Sequence, residues 1–449
     1  MKQLGIYIHI PFCKSKCAYC DFVSFPNIKD KENEYINCLI KEIESQNWEE
    51  INKKYQVTTI YIGGGTPSFI DAKNIQKVLD VLKRKIYNSC IYNESVISIN
   101  EDENQNKNQD KNLRESNTIR NKDIEISIEV NPGTVTKEKL KVYKEAGINR
   151  LSIGLQSTNN ELLKQIGRIH TYEQFIETYN LAKEVGFYNI NVDLMLGLPN
   201  QTIEDLKQSL EEVIKLNPNH ISVYSLILEE GTPLYNMVEK GQLSLPDEEQ
   251  ERQMYWYVKN KLELSEYKHY EISNFAKQGM ESKHNLNCWN QEEYIGLGLS
   301  AHSYFENKRY SNTDNVEKYI DFYSNIKLQK NNKIQSEKIL IKENNKYQNE
   351  TQTEKKEKRG IKQIHETQNK EDKQKEYMLL GLRKIEGVSI SKFKEKFIEN
   401  PIYLFKNELA KLTEESLIEI DGDYIKLTSK GLDFANLVWE ELLLFSLDN

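Results

Sequence analysis

The sequence lacks any apolar run long enough to span a bilayer, which argues against a transmembrane helix. Its first residues, MKQLGIY, lack the charged and apolar regions of a secretory signal peptide. Basic residues are not in excess: 61 Lys and Arg stand against 69 Asp and Glu, giving a net charge of −8. This balance argues against a broad nucleic-acid-binding face. These absences together predict a soluble, cytoplasmic protein that does not bind nucleic acid.

Hydrophobic residues are also scarce, at 38% of 449 residues, with a mean hydropathy of −0.71. The length predicts two or three domains and allows a sizeable core. The low apolar fraction indicates that part of the chain lies outside that core.

Cysteine is rare, and half of it is concentrated in one place. Three of the six cysteines fall within eight residues, as Cys13, Cys17 and Cys20. A disulfide framework is expected in short secreted chains with cysteines spread throughout. The tight triplet predicts a metal or cluster site instead.

Short β-branched segments alternate with segments of helical periodicity, which is the pattern of βαβ units and a parallel sheet. Six repeats predict a partial (β/α)6 barrel of the TIM type, although an open doubly wound sheet fits the same pattern. The predicted strands are Leu4–Ile10, Thr58–Ile62, Ile124–Val130, Arg150–Leu155, Asn189–Met195 and His220–Leu226. The predicted helices are Asp30–Gln46, Asn74–Tyr87, Lys137–Ala146, Tyr172–Val185 and Ile203–Leu216.

Two polar stretches interrupt this order, at residues 100–123 and 329–375. They hold too few apolar side chains to offset the conformational entropy of folding, so we predict tolerated, disordered insertions rather than partner-binding arms. The predicted domains are a barrel over residues 1–230, an extension over 231–328 and a C-terminal domain over 376–449. Its helix, strand, Asp-Gly turn and strand pattern predicts a helical, winged-helix-like packing module.

The cysteine triplet has the spacing Cys-x3-Cys-x2-Cys and follows the first predicted strand directly. Three thiolates suit a [4Fe–4S] cluster, in which the fourth iron stays open for another ligand. A structural zinc site would need a fourth protein ligand, for which His9 is the only nearby candidate. We therefore favour the cluster, with Cys13, Cys17 and Cys20 as its ligands.

Polar residues recur where the predicted strands end. A Gly-Gly-Gly-Thr run ends the second strand, Glu129 lies at the end of the third and Gln156 follows the fourth, while Asp193 lies in the fifth. Each residue alone could be a turn or cap. In an α/β barrel, however, the carboxyl ends of the strands form one active-site face.

The segment from Gly5 through the cysteine triplet, GIYIHIPFCKSKCAYC, resembles the radical S-adenosylmethionine (SAM) superfamily. It is most similar to the branch that contains oxygen-independent coproporphyrinogen III oxidases and HemW-type haem chaperones. The resemblance covers nearly the whole chain except the two insertions. It implies that the open iron chelates SAM, whose reductive cleavage gives a 5′-deoxyadenosyl radical.

The resemblance also implies which side chains contact SAM. Gly64, Gly65 and Thr66 match the loop around its amino group. Six further positions match, of which some serve a second SAM in the oxidases. Arg168, one of the six, suits a carboxylate because guanidinium can bind it in a bidentate way. The further matched positions are Tyr7, Tyr19, Glu129, Gln156, Arg168 and Asp193.

Two details separate the chaperones from the oxidases. The oxidases carry a further cysteine two residues after the third ligand, where this chain has Phe22. The segment HNLNCW, beginning at His284, is close to the HemW motif His-Asn-x-x-Tyr-Trp, which implies haem binding with His284 as a candidate iron ligand. Cys288 replaces the usual tyrosine and could itself ligate haem or be a neutral substitution. His302 is a second candidate histidine, although a structural role fits it better.

We therefore expect a haem chaperone that carries a [4Fe–4S] cluster and SAM and delivers haem to an acceptor protein. The identity of the acceptor, its association with a membrane and a homodimeric state are left open. One alternative is a coproporphyrinogen III oxidase, in which the radical starts an oxidative decarboxylation. Another is a binding module that has lost radical chemistry. Whether the chain is an enzyme is thus left undecided.

Overall fold

The computed structural model describes residues 1–87, 124–326 and 361–445. The first predicted insertion, residues 100–123, lies outside the described residues, as do residues 329–360 of the second. Within the described ranges, no helix is both long and apolar enough to cross a membrane.

All six predicted strands form, and they pair in parallel in the order of the chain. This sequential order is that of a barrel wall, whereas a doubly wound sheet would reverse its order part-way across. The strands are β1 (Lys2–Ile10), β2 (Tyr55–Gly64), β3 (Glu125–Val130), β4 (Arg150–Gln156), β5 (Asn189–Leu196) and β6 (His220–Ser225).

The two faces of the barrel wall differ in chemistry because side chains alternate along a strand. Apolar side chains such as Ile60, Ile126 and Leu151 belong to the main core cluster, which also contains residues of the surrounding helices. The intervening positions carry polar side chains, for example Thr59, Tyr61 and Glu129, and these make contacts among themselves. The barrel therefore has an apolar outer layer and a polar interior.

The predicted helices also form, and several begin where the sequence carries a capping signal. Thr171 and Thr202 each form a reciprocal capping box with the residue three positions later. Gly147 and Gly186 follow the ends of two helices with φ of +86° and +90°, a conformation that favours glycine. The helices of the barrel are α1 (Glu32–Ser45), α2 (Trp48–Lys54), α3 (Ala72–Tyr87), α4 (Lys137–Glu145), α5 (Asn160–Gln165), α6 (Tyr172–Glu184) and α7 (Ile203–Leu216). Short 3-10 turns lie at Lys29–Lys31 and Pro67–Phe69.

The extension adds strands to both edges of the barrel wall, so that the sheet has twelve strands in the order β12-β11-β10-β9-β1-β2-β3-β4-β5-β6-β8-β7. Only β9 of these additions runs parallel to its barrel neighbour, β1. The added strands are β7 (Lys268–Glu271), β8 (Asn274–Ala276), β9 (Glu293–Leu297), β10 (His302–Phe305), β11 (Lys308–Asn312) and β12 (Lys362–Thr367). The helices of the extension are α8 (Pro233–Glu239), α9 (Glu248–Leu264), α10 (Lys283–Trp289) and α11 (Val316–Ser324).

The structure differs from the sequence prediction at the end of the second insertion. Residues 362–367 form β12, which pairs antiparallel with β11, and a helix begins at Lys370. Ile361 and Ile364 are buried, so this short segment does contribute apolar side chains to the fold. Because Lys, Gln and Glu dominate the surrounding sequence, the average composition of residues 329–375 did not indicate a strand.

The C-terminal part forms its own core around Phe393 and Phe405. A three-stranded sheet in the order β13-β15-β14 lies beside the helices, as the predicted winged-helix-like pattern requires. Its helices are α12 (Lys370–Gly381), α13 (Ile390–Phe397), α14 (Pro401–Leu404), α15 (Lys406–Glu414), α16 (Ser429–Asp433) and α17 (Ala435–Leu443). Its strands are β13 (Val388–Ser389), β14 (Ile418–Asp421) and β15 (Tyr424–Leu427).

Candidate functional site

The three clustered cysteines lie on the loop after β1 and line a cavity of about 510 Å³. Backbone hydrogen bonds hold this loop at both ends: Cys13 N–H donates to Phe25 at 3.1 Å, and Ala18 N–H donates to Ile166 at 3.0 Å. The volume lies within the usual range for small-molecule sites. The loop therefore presents three sulfur atoms to one pocket of ligand size.

The glycine run at the end of β2 brings the backbone against the cysteine loop. Gly65 N–H donates to Ile10 at 2.9 Å, and a Cβ added to Gly65 would lie 2.8 Å from Cys13 Sγ. Thr66 Oγ1 lies 3.6 Å from the same sulfur. Side chains larger than hydrogen at position 65 would displace the first cysteine, which explains why glycine is needed there.

Arg168 lies beside the second cysteine at the wall of the pocket. Its Nη1 approaches Cys17 Sγ at 3.6 Å, while its Nη2 donates to Gly154 O at 2.6 Å and Asn131 Oδ1 at 3.0 Å. Its Nε is buried and has no hydrogen-bond partner among the described residues. Arg168 therefore places its positive charge beside one sulfur atom of the cysteine loop.

Two carboxylates from neighbouring strands, Glu129 and Asp193, line the same pocket. Glu129 accepts hydrogen bonds from Tyr61 Oη at 3.0 Å and Gly64 N–H at 3.2 Å. Burial and then the charge of Asp193 raise the pKa of Glu129 to about 7. Burial also raises the pKa of Asp193, against hydrogen bonds that include those from Asn191 and Ser152. Two closely placed carboxylates with raised pKa values suit a cationic ligand.

Gln156 reaches the pocket because β4 ends in an irregular register. The pairing with β5 shifts between Gly154 and Gln156, and Gln156 has φ of +73°. A bulge of this kind redirects a side chain at the end of a strand. A Cβ on Gly154 would lie 2.9 Å from Arg168 Nη2 and 3.0 Å from Gln156 Nε2, so glycine makes room for both.

Tyr19 lines the pocket, whereas Tyr7 lies next to it, with its ring stacked on Tyr61 at 6.4 Å. Tyr7 Oη donates to His9 Nδ1 at 3.0 Å, and His9 Nε2 donates to Val23 O at 2.8 Å. Both ring nitrogens of His9 are thus occupied, Nδ1 by a bond within β1 and Nε2 by a bond to the cysteine loop. His9 is therefore unsuited as the fourth ligand of a zinc ion.

The pocket fits the groups that the sequence resemblance implies. Three cysteines of one loop suit a cluster with one open iron. Among the described residues, no group of three or more His, Cys, Asp or Glu side chains is arranged to hold a single metal ion. Beside the cysteines lie two carboxylates, a glycine-lined wall and an arginine whose Nε has no hydrogen-bond partner in the described part of the chain. SAM carries a carboxylate, an amino group and a sulfonium, and the pocket offers groups of the opposite charge to each.

His284 is not brought into this pocket. It is the second residue of α10, whose first N–H groups, from Lys283 and His284, each donate to the Glu125 carboxylate at 3.2 Å. The His284 ring stacks on Tyr61 at 5.2 Å, and its Nδ1 lies 2.8 Å from Thr59 Oγ1. Burial lowers the pKa of His284 to about 4. The histidine of the HNLNCW segment thus occupies the polar interior of the barrel, on the far side of Tyr61.

Cys288 and Phe22 have contrasting environments. Burial raises the pKa of Cys288 to about 11, which keeps it a thiol at neutral pH. Phe22 lines the cysteine pocket and is 68% exposed, and Ile227, which lines the same pocket, is 69% exposed. The pocket therefore has an apolar rim at its mouth.

Sequence reasoning missed part of the pocket lining. The sequence does indicate Tyr61 as a lining residue, since it lies two residues before the glycine run on the same strand face. The sequence also indicates Asn131, a polar residue that follows β3 directly. No sequence pattern indicated the residues after β6 or the outer residues of the cysteine loop. The missed lining residues are Ser15, Lys16, Asp21, Tyr61, Val130, Asn131, Ser152, Gly154, Met195, Tyr224, Ser225, Leu226, Ile227 and Glu229.

Comparisons with known proteins agree with this site and fold. The radical SAM superfamily model matches residues 7–213, and the HemN C-terminal domain model matches residues 368–434. A protein of Bacillus subtilis strain 168 named heme chaperone HemW is 37% identical, over 97% of this chain and 98% of its own length. A heme chaperone HemW of Lactococcus lactis is 34% identical over 99% of this chain and 98% of its own.

Among solved structures, the coproporphyrinogen III oxidase HemN of Escherichia coli, described as a radical SAM enzyme, has a similar fold. The TM-score is 0.71, over 99% of this chain and 91% of that one, at 20% sequence identity. At that identity the likeness speaks for the fold alone.

Proposed function

This chain belongs to the HemW family of the radical SAM superfamily, and from that premise we propose that it binds haem and transfers it to an acceptor protein. The observation that carries the proposal is the match to proteins named heme chaperone HemW along the whole chain, through the barrel, the extension and the C-terminal domain alike. The exposed Phe22 at the pocket mouth also favours the chaperones over the oxidases, because the coproporphyrinogen III oxidases carry a cysteine at this position.

The radical SAM family implies a [4Fe–4S] cluster and SAM in this protein. In our proposal Cys13, Cys17 and Cys20 hold three irons, and the open iron together with bound SAM supplies reductive sulfonium chemistry. The Arg168 guanidinium lies beside Cys17 Sγ, and its Nε, which has no hydrogen-bond partner among the described residues, is available to a carboxylate. The side chains proposed to contact SAM are Tyr7, Tyr19, Gly64, Gly65, Thr66, Glu129, Gln156, Arg168 and Asp193.

Glu129 and Asp193 give the SAM site its charge selectivity in this proposal. Their mutual repulsion is relieved when a cation binds between them, so a sulfonium with a protonated amine is preferred over neutral adenosyl compounds. Tyr61 and the Gly64 amide fix the orientation of the Glu129 carboxylate before the ligand arrives.

We propose a cytoplasmic location, because five free cysteines in the described residues suit a reducing compartment. The partners in this proposal are haem and an acceptor protein. A homodimer is compatible with this function.

One experiment separates haem transfer from coproporphyrinogen III oxidation. The cluster is reconstituted anaerobically, and the chain is incubated with SAM, reductant and coproporphyrinogen III while 5′-deoxyadenosine and protoporphyrinogen are quantified. In parallel, the haem-loaded chain is mixed with apomyoglobin, and transfer is followed by absorbance. We expect transfer and no porphyrin product; protoporphyrinogen in proportion to 5′-deoxyadenosine would contradict the chaperone function.

A cysteine pair provides the control for cluster involvement. We expect Cys17→Ala to lose the cluster and to change the rate of haem transfer. Cys38→Ala removes a thiol that is buried in α1, away from the pocket, and should leave both intact. Equal transfer by both variants would show that the cluster takes no part, as a binding module without radical chemistry predicts.

A further inference from the structure

The carboxylate of Asp193 is held from the barrel interior by buried polar side chains. Asn191, two residues earlier on β5, donates from Nδ2 to Asp193 Oδ1 at 2.7 Å and to Ser152 Oγ at 2.8 Å. Ser152 Oγ in turn donates to Asp193 Oδ2 at 3.1 Å. Both carboxylate oxygens therefore accept a hydrogen bond from the protein itself.

This arrangement depends on the orientation of the Asn191 amide, because the two ends of an amide have opposite hydrogen-bonding roles. If the amide were turned round, Oδ1 would face the Asp193 carboxylate, and two acceptors would meet with no proton between them. That orientation suits only a protonated Asp193, which would no longer attract a cationic ligand. The interaction that fixes the amide therefore also affects the charge of the pocket.

His220 on β6 holds the oxygen end of this amide. Its Nδ1 lies 2.6 Å from Asn191 Oδ1, and its Nε2 lies 2.7 Å from Tyr270 Oη. Ser222 Oγ is a second donor to Asn191 Oδ1, at 3.1 Å. The ring of His220 is fully buried, and burial, followed by the charge of Arg150, holds its pKa well below the usual range. The ring is therefore neutral, and only one of its nitrogens carries a proton.

Tyr270 on β7 decides which nitrogen that is. Its Oη accepts from the backbone N–H of Ser282, the residue that caps α10, at 3.3 Å. Among the described residues, the hydroxyl proton of Tyr270 has no acceptor other than His220 Nε2, so the ring proton of His220 lies on Nδ1 and is donated to Asn191 Oδ1. These bonds form one relay, in which every bond points towards the carboxylate; it runs from Ser282 through Tyr270, His220 and Asn191 to Asp193.

We propose that His220 and Tyr270 are positioning residues of the SAM site, which hold the Asn191 amide with its N–H groups towards Asp193. Neither of them lines the pocket, and both act through Asn191. The inference rests on the proposed function, in which this carboxylate attracts the cationic part of SAM. Reversing the relay would leave the buried hydroxyl proton of Tyr270 without an acceptor, which is unfavourable. Tyr270 thereby opposes protonation of Asp193 from outside the pocket.

Other charges also act on Asp193. Glu129 lies beside it, Arg168 faces it from the cysteine loop, and Arg150 is among the groups that lower its pKa after burial has raised it. The phenols whose pKa values are raised in part by its charge are those of Tyr19, Tyr61 and Tyr224. All of these groups lie in the described residues, and Tyr270 makes a hydrogen bond to none of them. A change at Tyr270 therefore reaches Asp193 through the relay.

The first measurement is made on the unaltered, reconstituted chain with ¹⁵N-labelled histidine. Long-range ¹H–¹⁵N correlation spectra distinguish the two neutral tautomers of an imidazole, and the signal that is absent in His220→Leu identifies His220. We expect the Nδ1–H tautomer throughout the range in which an ordinary histidine titrates, with no imidazolium form. An Nε2–H tautomer, or a ring that becomes charged in this range, would overturn the inference.

The second measurement compares the SAM affinity of two Tyr→Phe variants by calorimetric titration. Tyr270→Phe removes the hydroxyl that fixes the direction of the relay, so we expect an affinity about tenfold lower at neutral pH, the effect of one hydrogen bond to a charged group. The deficit should shrink at higher pH, where protonation of Asp193 is disfavoured in both chains. Tyr267→Phe is the matched control: it removes a buried hydroxyl that bonds Pro218 O, outside the relay, and should stay within about twofold of wild type.

Equal SAM affinity in wild type and Tyr270→Phe would overturn the inference. So would a deficit of the same size at every pH, because a purely structural loss does not follow the protonation of Asp193. If Tyr270→Phe does not fold, the tautomer of His220 in the unaltered chain decides the question. A wild-type chain that keeps the Nδ1–H tautomer but binds no SAM would instead overturn the proposed SAM site.

Discussion

At the scale of single residues, the structure raises the pKa of Glu129 into the neutral range. Its carboxyl has an ordinary pKa of about 4.5, and burial followed by the charge of Asp193 raises it to about 7 in the folded chain. Between those values the folded state holds a proton that the unfolded state has released. The free energy of unfolding therefore falls as the pH rises through this window, because Glu129 ionises readily in the unfolded chain and not in the folded one. A cation bound beside Glu129 offsets that loss.

SAM affinity should therefore depend on pH around neutrality. Only ionised Glu129 attracts the cationic ligand, so the apparent affinity should fall about tenfold from pH 8 to pH 6, as the competent fraction falls. Calorimetric titration in buffers of different ionisation enthalpy should detect proton release on binding. Glu129→Gln should bind more weakly and show no such pH dependence. An equally flat profile for the wild-type chain would contradict this role.

Gly65 should be intolerant of a single methyl group. Gly65→Ala places a Cβ about 2.8 Å from Cys13 Sγ, where the sulfur must move. We expect lower iron and sulfide content after reconstitution, by at least half, with the chain still folded. Gly241→Ala is the control, because it meets nothing within 4 Å even though its φ of +66° opposes a side chain. Full cluster content in Gly65→Ala would refute this account of the glycine run.

At the scale of secondary-structure elements, Glu42 of α1 joins the barrel to its extension. The buried carboxylate accepts from Gly298 N–H at 2.8 Å, Asn312 Nδ2 at 2.7 Å and Tyr319 Oη at 2.6 Å. These donors belong to the segment after β9, to β11 and to α11. A single side chain thus fixes three added elements against one barrel helix.

Glu42→Ala should therefore destabilise the fold far more than an ordinary surface change. Removing the carboxylate leaves three donors without their acceptor, and we expect a loss of about 3 kcal/mol in the free energy of unfolding. Urea denaturation followed by circular dichroism measures it. Glu34→Ala, exposed on the same helix, should cost less than about 1 kcal/mol. Similar losses for the two variants would argue against the joining role of Glu42.

At the scale of the whole molecule, the C-terminal domain packs against the extension through polar contacts from several of its segments. Asp433 of α16 accepts from Trp256 Nε1 at 2.7 Å and from Arg252 Nε at 3.1 Å, both in α9. Arg383 lies over the Trp289 ring at 4.7 Å, beside the HNLNCW segment. The end of the chain thereby supports the helix that carries His284.

Breaking the Asp433 contact should loosen this domain without unfolding the barrel. In Asp433→Ala the Trp256 and Arg252 donors lose their acceptor, at a cost of about 1–3 kcal/mol. Hydrogen exchange should rise in α9 and α16 while the barrel strands stay protected. Asp421→Ala removes an exposed carboxylate that pairs only within the C-terminal domain, with Lys426, and should leave exchange in α9 unchanged. Faster exchange spread evenly over the barrel would contradict this division.

The sequence by itself determined the barrel, its six strands and the cysteine site. Their signals are local: β-branched runs, helix caps, and three thiols within eight residues on one loop. The carboxyl ends of parallel strands meet at one edge, so the positions of Glu129, Gln156 and Asp193 along the chain were enough to assign them to the same site.

The tertiary structure alone decided what lies outside such local patterns. β12 is surrounded by polar sequence and becomes a strand only because β11 offers it a partner. The resemblance to a family motif implies His284 as a haem ligand, whereas its burial depends on Tyr61 and Glu125, which lie 223 and 159 positions away from it in the chain. His302 and His365, 63 positions apart, come together only through the pairing of β10, β11 and β12. Contacts between distant segments carry no signature in either segment, and for that reason only the folded chain reveals them.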